Sequence, residues 1–125
     1  MSILWSLLEH GTANPFVALV SSVEFRALQL NAFREGELTQ PAIASLTQQL
    51  EALLKLIKSA EDWIIPEPNL KSDLRGALPP LTREITSALA SVKQKQIKRA
   101  VSTMLRARED LVKRSHLQFS SFNLT

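Results

Sequence analysis

The chain has 125 residues, a net charge of +3, no cysteine and no tyrosine. Without cysteine, disulfide frameworks, thiolate metal centres and cysteine nucleophiles are all excluded. This length suffices for one core that buries roughly two-thirds of the unfolded chain's surface, so a single domain over 1–125 is expected.

Hydrophobic residues make up 45% of the chain and aromatic ones only 6%, so aliphatic side chains must carry the packing, as they do in helical bundles. Charge is divided unevenly. Residues 1–70 hold four Lys/Arg against eight Asp/Glu, and residues 71–125 hold eleven against four. The apolar stretch Ile3 to Leu8 is interrupted by Ser6, has no basic residues ahead of it and runs into Glu9 and His10. That pattern fits neither a secretory leader nor a membrane span, and a cytoplasmic protein is expected. On the same ground the sequon Asn123-Leu124-Thr125 is not read as a glycosylation site.

Proline and glycine punctuate the apolar runs, and the expected helices follow from them. A short first helix is expected over 2–10, with Ser2 as N-cap and Gly11 closing it. Ile3, Leu4, Trp5, Leu7 and Leu8 cover most of its circumference. The second, about 15–36, opens with Asn14 as N-cap and Pro15 at the first helical position, and should end at Gly36. Phe16, Val20, Val23, Ala27 and Leu30 form its apolar face, while Val17, Phe25 and Leu28 lie beside that stripe and leave excess apolar surface.

The third helix, about 41–64, has the strongest pattern. Ile43, Leu46, Leu50, Leu53, Ile57, Ala60 and Ile64 are spaced alternately by three and four, a heptad repeat that favours near-parallel packing on a neighbouring helix. Thr39 is the expected N-cap, and Pro66 and Pro68 the expected stop. A polar turn through Ser72 to Gly76 should then lead to Pro79-Pro80 and a last helical region, 80–116. There Leu81, Ile85, Leu89 and Val92 form one stripe, which restarts at Ile97 and continues through Val101, Met104, Leu105 and Leu111. The five-residue jump from Val92 to Ile97 rotates the face by about 140°, which means one bent helix or two. The tail 117–125 carries Leu117, Phe119, Phe122 and Leu124 and should dock in part on the bundle. The expected fold is all-α: a four- to five-helix, mostly antiparallel bundle.

Little in this chain points to catalysis. His10 and His116 each end an expected helix, where a cation or hydrogen-bond donor is ordinary. Glu35/Glu37, Glu61/Asp62 and Glu109/Asp110 are too close in sequence to clasp one ion from a helix. No nucleotide-loop, zincin or nucleophile-elbow motif occurs. A non-enzymatic protein without cofactor or metal is therefore expected.

The basic final region is the main functional signal. Eight Lys/Arg lie between Lys93 and Arg114. With Ile97 as zero, Lys95, Arg99, Arg106 and Lys113 fall at about 160–200°, opposite the apolar stripe. Lys93, Lys95, Lys98, Arg99, Arg106 and Lys113 are the candidate residues for a polyanion or a partner surface. Arg108 is different: it lies about 20° from Val101 on the apolar face, where an arginine snorkels or pairs with an acid of an adjacent helix.

Two readings follow. In the first, the protein is an interaction module, such as an adaptor, assembly factor or small structural subunit, that homodimerises or caps a larger complex, with Leu4, Trp5 and Leu8 as candidate association residues. In the second, it is a nucleic-acid-binding regulator, with residues 82–101 laid on a helix-turn-helix. Ser87 and Ala90 would then pack the first helix, Ser91 would make the turn, and Ile97 would anchor a second helix presenting Lys93, Gln94, Lys95, Lys98 and Arg99.

Overall fold

The computed structural model describes residues 14–124; the helix expected over 2–10, with Leu4, Trp5, Leu8 and His10, lies outside them. Four helices follow in order: α1 (Pro15–Asn31), α2 (Gln40–Ala60), α3 (Pro68–Lys93) and α4 (Ile97–Ser115), with a single 3-10 turn at Glu35–Glu37 between α1 and α2. No strand occurs among the described residues, and the chain folds as an all-α bundle. Each helix packs on its sequence neighbours, α1 closes the ring against α4, and the α3–α4 contact is the most extensive. None of these helices is long and apolar enough to cross a membrane.

Two of the caps read from the sequence, Asn14 and Thr39, are in place, while Ser2 and Gly11 lie outside the described residues. Asn14 Oδ1 accepts from Phe16 N at 2.9 Å ahead of Pro15, and Thr39 Oγ1 accepts from Ala42 N at 3.2 Å. The heptad positions Ile43, Leu46, Leu50, Leu53, Ile57 and Ala60 are buried, as expected. They meet Phe16, Leu19, Val23, Leu74, Leu81, Ile85, Met104 and Leu111 in one continuous core.

Three boundaries differ from the sequence reading. Helix α1 ends at Asn31, not Gly36, because the chain passes through Ala32 into the 3-10 turn. Helix α2 ends at Ala60, so Ile64, the last heptad position, is 76% exposed, while its neighbours Trp63 and Ile65 turn inward and are buried. The third difference is larger. The expected turn at Ser72–Gly76 is helical, and Pro79 and Pro80 lie inside α3.

Proline in a helix interior removes a backbone donor and costs about 3 kcal/mol. Two features offset that here. Leu74, Ala77, Leu78, Leu81, Ile85 and Ala88 continue a buried stripe straight across the proline pair. The carbonyl of Gly76, which residue 80 would otherwise serve, accepts from the Arg114 guanidinium at 3.3 Å. Glu67 caps the start of α3, accepting from the N–H groups of Asn69 and Leu70.

The region 80–116 resolves into two helices. Helix α3 runs to Lys93, Gln94–Gln96 form the turn with Lys95 in the left-handed conformation at φ 62°, and α4 starts at Ile97. The Ser91 carbonyl accepts from both Gln94 N and Gln96 N, which closes the corner. Helix α4 ends at Ser115, with His116 as a left-handed cap.

Candidate interaction surfaces

Burying one stripe of each helix decides what its other side offers. On α1 the inward residues are Phe16, Leu19, Val20, Val23, Ala27 and Leu30. With Phe25 as zero, Ala18, Ser21, Ser22, Leu28, Gln29 and Ala32 fall within about 60° of it. No charged residue shares this outward arc, and Phe25 and Leu28 are 53% and 51% exposed. The two charged residues of α1 stand at its margins. Glu24 turns toward α4, and Arg26 lies 5.6 Å from the centroid of the Phe25 ring and donates to the Gln49 carbonyl at 3.4 Å. Partial burial lowers the pKa of Arg26.

Helix α4 is built the other way. Ile97, Ala100, Thr103, Met104, Ala107 and Leu111 face the core, and Arg99, Ser102, Arg106, Glu109 and Lys113 face solvent. All six candidate basic residues are exposed, but they do not form one uniform stripe. Lys93 ends α3, Lys95 sits in the turn, and Lys98 and Arg99 belong to the first turn of α4. Arg106 lies 3.6 Å from Glu84, and Glu109 interrupts the row before Lys113. Lys113 borders a polar cleft lined also by Ser72, Asp73, Gly76, Arg114 and His116. The His116 imidazole is exposed, 3.9 Å from Asp73. No cluster of three or more metal-ligating side chains occurs among the described residues.

The helix-turn-helix placement does not match this geometry. Lys93, Gln94 and Lys95 lie at the end of α3 and in the turn, not on a second helix, and Ser91 is a buried residue of α3. Contacts between Asp73 and His116, Gly76 and Arg114, and Glu84 and Arg106 keep one antiparallel register along both helices. A helix-turn-helix instead crosses its helices at about 90–120°.

Of the two courses open to Arg108, snorkelling or pairing with an acid of an adjacent helix, it takes the second. Its Nε lies 2.6 Å from Glu24 of α1, its Nη2 donates to the Ser120 carbonyl at 2.8 Å, and its guanidinium stands 5.3 Å from the centroid of the Phe122 ring. One arginine thus joins α1, α4 and the tail. Phe119, Phe122 and Leu124 pack on the core from that tail.

A groove of about 440 Å³ lies between the end of α1 and the start of α4, lined by Asn31, Phe33, Arg34, Ile97, Lys98 and Val101. Glu35 secures one wall: its Oε1 accepts from Lys98 N at 3.0 Å, capping a helix whose own N-cap residue, Gln96, makes no side-chain cap bond. Sequence reasoning missed Phe33, Arg34 and Glu35, because the contact that places them spans 63 residues. Compared with family models, curated proteins and solved structures, the chain matches none.

Proposed function

We propose that the protein is a non-enzymatic helical interaction module that associates with a second copy of itself through the outward face of α1. The observation that carries this reading is the uncharged arc around Phe25 and Leu28, each about half exposed at 53% and 51%. Scattered single apolar residues are ordinary on protein surfaces, but Phe25 and Leu28 stand one helical turn apart on a face that carries no charge.

The spacing of the arc is self-complementary. Two antiparallel copies of α1, related by a two-fold axis between Arg26 and Ala27, place Phe25 of one copy opposite Leu28 of the other and Ser21 opposite Ala32. Each of these contacts is thereby made twice, once on either side of the axis, as an isologous interface requires. The nucleic-acid reading has less support, since Glu109 breaks the basic row of α4 and Glu84 engages Arg106.

Sedimentation or light scattering at tens of micromolar tests the proposal. The native chain should have the mass of a dimer, and Phe25→Asp or Leu28→Asp the mass of a monomer with unchanged helical circular dichroism. A native chain that stays monomeric, or variants that retain the native mass, would overturn it. A chain begun at Asn14 separates the α1 face from Leu4, Trp5 and Leu8, and should remain a dimer if α1 carries the contact.

A further inference from the structure

The groove between α1 and α4 is a second surface, apart from the α1 arc: neither Phe25 nor Leu28 lines it. Its floor is apolar, made by Phe33, Ile97 and Val101, and its rim is cationic, made by Arg34 and Lys98. At about 440 Å³ it falls in the range typical of ligand-binding pockets. Neither rim cation forms an ion pair among the described residues. Glu35, next to Arg34 in the chain, directs its Oε1 to the backbone N–H of Lys98 and forms no ion pair with either cation.

The same end of the bundle carries Lys93, Lys95 and Arg99, also exposed and without ion pairs among the described residues. Glu35 and Glu37 are the acids of the loop that meets it. An apolar well with free cations at its mouth complements a large apolar side chain flanked by carboxylates.

We propose that this groove docks an acidic segment of a partner protein, which seats one large apolar side chain on Phe33, Ile97 and Val101 while its carboxylates meet Arg34 and Lys98. Each half of the site has its own role. A buried apolar anchor supplies most of the affinity at such contacts, and the surrounding cations supply encounter rate and choice of partner. A nucleic acid would use the cations without needing the well, whereas an uncharged apolar peptide would use the well without the rim.

Fluorescence anisotropy on the full chain tests this with a labelled twelve-residue probe peptide, rich in glutamate and carrying one central tryptophan. Binding should weaken at least tenfold when the tryptophan becomes alanine, and again when the glutamates become glutamine. Arg34→Glu with Lys98→Glu should weaken it at least tenfold, while Lys93→Glu with Lys95→Glu should have a smaller, salt-sensitive effect. All four positions are exposed, so circular dichroism should be unchanged in both variants.

No binding of the tryptophan peptide would overturn the proposal. Equal affinity for the alanine peptide would also overturn it by showing diffuse charge attraction alone, as would duplex DNA that binds more tightly than the peptide and loses affinity in the Arg34/Lys98 variant. Sedimentation of that variant keeps the two readings separable. A dimer that no longer binds peptide supports the groove, whatever the α1 variants show.

Discussion

Helices α1 and α4 are neighbours of similar length whose inward faces are alike and whose outward faces are opposites. Inward, both are closed and largely aliphatic, with Phe16 on α1 and Thr103 on α4 as exceptions. Outward, α1 shows Ser21, Phe25 and Leu28, while α4 shows Arg99, Arg106, Glu109 and Lys113. The lesson is that core packing constrains only one side of each helix. The second side records what else the surface must do, since a charged face suffices for solubility and an uncharged one exposes apolar area to water at a cost of roughly 25 cal/mol per Å².

The comparison predicts matched effects inside and unmatched effects outside. The largest should come from the shared interior: Leu19→Ala on α1 and Met104→Ala on α4, both fully buried, should each destabilise by about 2–5 kcal/mol in urea denaturation. A neutral result at either position would mean that one of the two inward faces is not core.

Next is the bond between the two helices. Arg108→Ala leaves Glu24 without its partner and frees the Ser120 carbonyl. It should cost about 1–3 kcal/mol and raise amide exchange across 117–124. Exchange that is unchanged there would show that Phe119 and Phe122 hold the tail unaided.

Substitution on the outward faces should separate the helices most clearly. Phe25→Asp is expected to abolish association with a change in monomer stability within about 0.5 kcal/mol, and Arg106→Ala, at an exposed pair with Glu84, to change neither beyond about 0.5 kcal/mol. An Arg106→Ala variant that dissociates the dimer would move the interface from α1 to α4.

Much of the fold was legible in the chain. The heptad of α2 as far as Ala60 and the caps Asn14 and Thr39 are periodic or local signals, and each is present; the position of Arg108 on the apolar face was also legible, but which acid it meets, 84 residues away, was not. The excess apolar surface of Phe25 and Leu28 was legible too, because a helix wheel shows what one core-facing stripe leaves over. Helix α3 was misread at its start because two prolines outweighed a stripe that ran through them unbroken.

What the sequence by itself determined is therefore an all-α bundle with most of its inward faces, the two caps Asn14 and Thr39 and a surplus of apolar surface on α1, since these depend on residues within one or two helical turns of each other. The tertiary structure decided the rest. Arg114 could serve the carbonyl that Pro80 leaves free only once α4 lay antiparallel to α3. Glu35 could cap α4, and so build the groove of Phe33 and Arg34 beside Lys98, only once the loop after α1 met a helix start 63 residues away. The free energy that permits a double proline inside a helix, or fixes an irregular loop against a distant N-terminus, comes from packing between segments that no local pattern connects.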